Sequence, residues 1–392
     1  MISIKSAKAL RLPPRLFTSR KLQQAAASVG ESSSTGSSTG SRSSSSTRQT
    51  AETAAELPAE TVLPYLWRSG NWYSNVYEFT SQINPKTNVP DLIPVPEHLV
   101  PQELIEWGQH PQYLEALETT SFDATGTGTG TAGEINTGDD TADPNATNIS
   151  PSTGPTLHSH SLLIYPETGC AADNLSFSSS KTSTPLPSLL SSSTSLLGII
   201  SQTTLSPPSV SNPHSKNLNL ETTFLTENNR QSTTISFTVN PKTSTFTSSI
   251  KVTVSYKVSG SFPNLSLITS SRGLDSQTVS SLKPSQKSPY YNSSKKYLMD
   301  KHLNGRYSRG FIVPSKRLTG LEPYKIIKMP RIFKDYYECI RLPFGLFVDL
   351  KEGKVEVGRV EVGEEGMERK ILERKWEGDI WNYWIDRREE KR

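Results

Sequence analysis

The sequence predicts a mainly β protein, built as one antiparallel domain that closes or nearly closes into a barrel. Apolar residues alternate with polar ones in several segments, and tight turns without a strand–helix–strand rhythm separate these segments. Apolar residues make up only 33% of the 392 residues, and ordering the backbone costs about 1–2 kcal/mol per residue. We therefore expect a domain at 60–392 with two short helices, interrupted by unstructured insertions at 121–156 and 176–216.

The composition of the N-terminal region is typical of a targeting sequence rather than of a folded segment. Residues 1–30 carry six basic residues and no acidic one, with apolar residues interspersed, as in organellar transit peptides. Residues 31–59 are rich in Ser, Thr and Gly, which is typical of a flexible linker. We expect a soluble protein of a plastid or mitochondrion; the alternative is an untargeted basic tail. No apolar run reaches the roughly 18–20 residues of a transmembrane segment.

The first structured block mixes strand and helix signals. Aromatic and β-branched residues predict a strand at 70–79, and an Asn-Pro turn follows at 84–88. Pro at the start and Gly after the end predict a short helix at 101–107. Similar signals predict a second short helix at 111–118. A further strand is expected at 161–165.

The remaining strands are predicted from alternation of period two. Segments 218–224, 235–239 and 250–258 each place apolar residues on one face and Ser, Thr or Lys on the other. Toward the C-terminus the alternation continues through several turns to residue 385, which predicts an antiparallel meander of at least four strands. Its phase slips by one residue near Gly358, a change typical of a β-bulge.

Motifs for catalysis or metal binding are weak. A GxGxxG match at 128–133 has neither a strand before it nor a helix after it, so low complexity explains it. His158 and His160 would share one face of a strand, but no further ligand lies close in sequence, and no metal site is predicted. The two cysteines, Cys170 and Cys339, are expected to be reduced thiols. We predict no catalytic residue, and the sequence identifies no cofactor.

The strongest electrostatic signal is a basic segment at 295–334, with eleven basic and only two acidic residues and with aromatic residues interleaved. Such a segment fits binding to RNA, an anionic lipid surface or an acidic protein. The alternative is a solvated face that the acidic residues of 97–118 neutralise. The candidate polyanion-binding residues are Arg306, Arg309, Lys316, Arg317, Lys325, Lys328, Arg331 and Lys334.

Two parts of the chain resemble calycin (lipocalin-like) barrels. Residues 67–72 (Trp-Arg-Ser-Gly-Asn-Trp) resemble the first strand of such barrels. Residues 342–345 (Leu-Pro-Phe-Gly), 355–359 (Val-Glu-Val-Gly-Arg), 369–376 and 381–384 are similar to the last strands of a calycin-like family of cyanobacteria and plastid-bearing organisms. The resemblance covers about a quarter of the chain and does not extend to the middle strands, so it carries over no ligand-binding residue.

The resemblance implies a barrel that holds a ligand, and three functions follow as hypotheses. The first is a non-catalytic protein that binds a small hydrophobic or tetrapyrrole-like molecule. The second is an interaction protein that uses the basic segment to bind RNA or an acidic partner, and the third is a chromophore (bilin) lyase. For the first, we expect the barrel interior to be lined by Trp72, Val76, Val252, Val254 and Trp381.

Overall fold

The computed structural model describes twelve ranges of the chain: 59–123, 155–168, 174–185, 193–196, 198–205, 217–225, 230–284, 310–314, 324–328, 339–362, 367–376 and 385–391. Within them the protein is mainly β, and every strand pairing is antiparallel, which confirms the predicted fold class. Among the described residues, four short α-helices accompany the strands: α1 (Ala59–Arg68), α2 (Gln102–Glu106), α3 (Leu265–Leu267) and α4 (Ser276–Leu282).

The strands form one large sheet, one small sheet and a separate hairpin. The large sheet contains β1 (Gly70–Asn84), β2 (Val89–Ile93), β3 (Leu114–Asp123), β4 (Thr156–Ile164), β5 (Phe177–Pro185), β6 (Ser193–Leu196), β7 (Ile199–Leu205), β8 (Leu218–Leu225), β9 (Gln231–Asn240), β10 (Thr245–Phe246) and β11 (Ile250–Lys257). The hairpin is β12 (Gly310–Pro314) with β13 (Tyr324–Lys328). The small sheet contains β14 (Ile340–Arg341), β15 (Leu346–Lys351), β16 (Lys354–Val362), β17 (Met367–Lys375) and β18 (Ile385–Lys391).

The large sheet has the order β5-β4-β3-β1-β11-β9-β8-β7-β6, with β2 paired to β1 and β10 paired to β9. One face of this sheet packs on the small sheet in a single apolar core. On β1 that face carries Tyr77 and Phe79, and from the small sheet Leu346 and Val348 join the same cluster. The predicted strands at 70–79, 161–165, 218–224, 235–239 and 250–258 all lie within or overlap strands of this sheet.

The large sheet curls around helix α1. Tyr65 of α1 is only 1% exposed and packs against Phe122 of β3, Leu157 of β4 and Ile200 of β7. Four strands separate β3 from β7 in the sheet order, so one side chain can contact both only if the sheet bends around it. The described strands therefore form a half-barrel with α1 inside one end; its edges at β5 and β6 do not pair with each other.

The helix predicted at 111–118 is wrong, because the chain forms β3 there. Leu, Glu and Ala favour helices in isolation, but β3 is hydrogen-bonded on both sides, to β1 and to β4. Leu117 enters the apolar core while Ala116 and Glu118 face the opposite side of the sheet. Tertiary pairing thus overrides a local preference. The helix predicted at 101–107 is confirmed by α2, which follows Pro101.

The segment 176–216, expected to be an unstructured insertion, contains β5, β6 and β7. Thr is β-branched and suits a strand, so a Ser/Thr-rich sequence can extend a sheet without contributing much to the core. In the insertion predicted at 121–156, the first residues belong to β3 and the last to β4. Residues 124–154 lie outside the described part of the chain, as do 1–58.

The bulge predicted near Gly358 is also wrong, because the pairing register of β16 runs through this residue without a shift. Gly358 lies directly opposite Phe347 on β15 and Ile371 on β17. A Cβ atom on Gly358 would lie 2.2 Å from Cζ of Phe347, so the glycine makes room for the ring. Residues 355–361 are buried on both faces, which explains why the apolar pattern changes phase without any insertion.

Candidate functional site

The concave face of the half-barrel encloses a cavity of about 400 Å³. Its lining comes from strands β1, β3, β4, β5, β8, β9 and β11, together with the chain that leads from β2 into β3. Small-molecule sites typically measure about 300–1,000 Å³ and are concave and largely preformed. The cavity therefore has the size and shape of a site for a small ligand.

The lining of this cavity combines an apolar patch with polar side chains around it. Val76 of β1 pairs directly with Leu114 of β3, and Leu163 and Val95 extend this apolar surface. The polar surface consists of hydroxyl and charged side chains, namely Ser74, Ser161, Ser178, Ser180, Thr234, Thr253, Arg68, Glu78, Glu118, Glu221 and Lys251. Such a lining suits a molecule with one apolar part and one polar part.

Arg68 and Glu118 form an ion pair where α1 meets the cavity. Nη2 of Arg68 donates to Oε2 of Glu118. The other carboxylate oxygen, Oε1, accepts hydrogen bonds from Thr120 Oγ1 at 3.0 Å and Ser159 Oγ at 3.2 Å. Protein groups thus occupy both oxygens of Glu118. This ion pair ties the last turn of α1 to β3, and the carboxylate is not available as the main contact for a ligand.

Trp72 is buried beneath the same ion pair and does not line the cavity. Its Nε1 donates to the backbone oxygen of Arg68 at 2.8 Å, and the Arg68 guanidinium carbon lies 4.6 Å from the ring centroid. Nζ of Lys257 lies 5.5 Å from the same ring. Burial and the nearby Arg68 charge lower the pKa of Lys257. Trp72 thus helps to hold α1, through a hydrogen bond and cation–π contacts.

Four residues form a row across the concave face, which we call the charged row: Glu221, Ser236, Lys251 and Glu78. They are directly opposite one another on β8, β9, β11 and β1, so their side chains share one face of the sheet. A second cavity of about 460 Å³ lies beyond the row and is also lined by Glu78, Glu221 and Lys251. The charged row is therefore the boundary between two cavities.

The carboxylates of the charged row differ in their partners. Glu78 accepts a hydrogen bond from Oγ of Ser249. Among the residues that the structure describes, none donates a hydrogen bond to the carboxylate of Glu221. Desolvation raises the pKa of Glu221, the negative charge of Glu118 raises it further, and the positive charges of Arg68 and Lys251 oppose this. Glu221 is thus exposed to solvent in the cavities, and the neighbouring charged side chains of the concave face act on its pKa.

The structure describes four of the five predicted lining residues and does not bring these four together. Val76 lines the cavity. Val252 and Val254 lie on the opposite face of the large sheet, in the apolar core, because on β11 it is Lys251 and Thr253 that face the cavity. A shift of one residue along a strand reverses the face, and alternation alone cannot tell which face is concave. Trp381 lies outside the described residues.

The basic segment stays a prediction. Six of its eight candidates lie outside the described residues: Arg306, Arg309, Lys316, Arg317, Arg331 and Lys334. Lys325 and Lys328 belong to β13, where they are opposite Val313 and Gly310 of β12.

His158 and His160 lie on one face of β4, as a strand there requires, and this face is opposite to the cavity. Their ring nitrogens are hydrogen-bonded to Ser183 at 2.9 Å and Ser179 at 3.1 Å. No group of three metal-ligating side chains occurs in the described ranges.

Cys339 is buried, and burial raises its pKa to about 12, which makes it a poor nucleophile. The other cysteine, Cys170, lies outside the described residues.

Sequence reasoning missed the charged residues of the cavity. Arg68, Glu118, Glu221 and Lys251 are scattered over four elements, and each looks like an ordinary polar position of an amphipathic segment. Only the pairing order of the strands brings them to one surface.

No protein-family model matches the chain, and searches of the curated proteins and of the solved structures found no match. Within the described ranges, no helix has the length and apolar character to cross a lipid bilayer.

Proposed function

We propose that this protein binds a small amphipathic molecule in the cavity of the half-barrel and does not transform it. The observation that carries the proposal is the cavity of about 400 Å³, in which an apolar patch of Val76, Leu114 and Leu163 lies beside polar side chains that include the charged row. The polar side chains of the lining refine the hypothesis of a small hydrophobic ligand, because a molecule that fits this site should also carry a polar group.

A tetrapyrrole that carries carboxylate groups fits this site less well. Three carboxylates but only two cationic side chains line the cavity, so an anionic ligand would meet net repulsion there. The lyase hypothesis requires a bilin to enter the same cavity. Titration of the purified protein with hemin and with a bilin therefore tests both, and binding tighter than that of a neutral amphiphile of similar size would favour the tetrapyrrole hypotheses.

The binding proposal is tested by filling the cavity. In Val76→Trp the larger side chain occupies space beside Leu114, so the full-length variant should lose at least tenfold in affinity for a neutral amphiphile such as octanol, measured by calorimetry. The matched control is Gln82→Trp, which places the same side chain on the same strand but outside this cavity. Circular dichroism and the unfolding midpoint establish that both variants are folded.

Two outcomes contradict the proposal. One is the absence of measurable binding of any amphiphile by the folded wild-type protein. The other is equal affinity of Val76→Trp, Gln82→Trp and the wild type, which would place the bound molecule outside the half-barrel.

A further inference from the structure

The charges of the row restrict the chemical class of molecule that the cavities can bind. Its position between two cavities means that a molecule lying in either cavity presents an end to Glu221, Lys251 and Glu78. An apolar body against Val76, Leu114 and Leu163 would place that end at the row. The charge of the row therefore selects the polar group of the ligand.

The charges that line the two cavities do not balance. Arg68 and Glu118 neutralise each other in a direct ion pair. Glu221, Lys251 and Glu78 then leave one negative charge in excess. Lys251 is exposed, and it forms no ion pair within the described residues. Lys257, a further cation on this face of β11, donates to the backbone oxygen of Ser69 at 2.8 Å and belongs to neither cavity lining. The excess negative charge of the linings therefore has no cationic counterpart among the lining residues.

Glu221 is the carboxylate with room for a ligand. Oε1 of Glu78 accepts a hydrogen bond from Ser249, and both oxygens of Glu118 are occupied by Arg68, Thr120 and Ser159. Glu221 reaches both cavities and faces Ser236 across the strand pair. An N–H donor with a positive charge forms a stronger hydrogen bond to a carboxylate than a neutral donor does.

We propose that the ligand is an amphipathic amine, whose ammonium group binds the Glu221 carboxylate while its apolar body lies against Val76, Leu114 and Leu163. This inference rests on the proposed binding function and specifies the class of molecule. The groups that face Glu221 are Glu118, Arg68 and Lys251, and of these the two cations would weaken the binding of the amine.

The test compares three probes with the same eight-carbon chain: octylamine, octanol and octanoate. Calorimetry on the full-length protein at neutral pH should give the tightest binding for octylamine, about tenfold tighter than octanol, because one charge-assisted hydrogen bond contributes on this scale. Octanoate should bind most weakly. In Glu221→Gln the affinity for octylamine should fall to that for octanol, while octanol binding stays unchanged.

Two further variants sharpen the comparison. Lys251→Met removes a cation beside the site and should raise the affinity for octylamine. Glu352→Gln removes a carboxylate from an exposed turn of the small sheet and should leave all three affinities unchanged. Equal binding of the three probes, or a preference for octanoate, would overturn the amine assignment while leaving the binding function standing. If none of the three probes binds, the binding function fails as well.

Discussion

At the scale of single residues, Gly358 is a position where the packing of a neighbouring ring leaves no space for a side chain. The residue lies in the middle of β16, where glycine normally weakens a strand. Here the ring of Phe347 covers it, with Cζ 2.2 Å from where a Cβ would be placed. Ring and glycine are therefore complementary, and the conformation of Gly358 is ordinary extended backbone rather than a turn or a bulge.

Gly358→Ala should destabilise the protein by about 1–3 kcal/mol, because the added methyl group forces Phe347 out of its position. Chemical denaturation of the purified variant measures this change. Phe347→Leu in the same chain should recover part of the loss, since the smaller side chain leaves space for the methyl group. Additive effects of the two substitutions would contradict the contact, because neighbouring residues that share a space are expected to couple.

At the scale of elements, α1 fills one end of the half-barrel. Its two attachments are of different kinds: Tyr65 is buried among Phe122, Leu157 and Ile200, while Arg68 is held by an ion pair and an aromatic ring. A ten-residue helix is marginal alone in water. Tertiary contacts with strands from both sides of the curled sheet therefore stabilise the helix, and the helix in turn holds those strands together.

Tyr65→Ala should cost about 3–5 kcal/mol of unfolding free energy, the range for large buried aromatic side chains. It should also raise the rate of amide hydrogen exchange in α1. The control is Leu66→Ala on the same helix, where the side chain is 48% exposed and the expected change is within about 0.5 kcal/mol. A similar loss of stability in both variants would contradict the stabilising role of the buried Tyr65 side chain.

The small sheet carries a second electrostatic arrangement, in which like charges face each other. Asp349, Glu356 and Glu373 are directly opposite on β15, β16 and β17, and Lys354 bridges the two glutamates with two contacts of 3.0 Å. Burial by itself raises the pKa of Glu373, but hydrogen bonds from Lys375 and Lys354 outweigh it and lower the pKa to about 2. Carboxylates that would repel are thus tolerated because lysines lie between them.

The stabilisation from Glu373 should depend on pH. Its folded-state pKa lies below the ordinary value of 4.5, so the contribution is complete above that pH and is lost as the pH falls toward about 2. Glu373→Gln should therefore be less stable than the wild type at neutral pH, and the difference should shrink in acid. Urea unfolding at several pH values measures it. A difference that does not change with pH would contradict the ion-pair role.

At the scale of the whole molecule, charge is distributed unevenly along the chain. The net charge is +4, yet the segment 295–334 alone has nine more basic than acidic residues. The rest of the chain is therefore acidic on balance, and a carboxylate-rich cavity belongs to that part. The two proposals therefore assign partners of opposite charge to different parts of the chain: a cationic small molecule to the cavity and a polyanion to the basic segment.

If the basic segment contacts a polyanion, binding of a single-stranded RNA to the full-length protein should fall steeply with salt concentration. Fluorescence anisotropy across a salt series measures the slope. Replacing Arg306, Arg309, Lys316 and Arg317 by Gln should reduce both the affinity and the slope. The same substitutions should leave amphiphile binding unchanged, because no lining residue of the cavity belongs to this segment. A flat response to salt would leave the segment as a solvated face.

The sequence by itself determined the antiparallel class and several of the strands, because alternation along a strand and turn chemistry are local properties. It predicted β1, β8, β9 and β11 within a few residues of their bounds. It misjudged 111–118, 176–216 and Gly358, where pairing on both sides or burial of both faces overrides local preference. Only the tertiary structure decided that Val76 faces the cavity and Val252 faces the core, since the curl of the sheet, which α1 supports from inside, selects the concave face. The charged row likewise exists only because strand pairing brings together residues that are far apart along the chain.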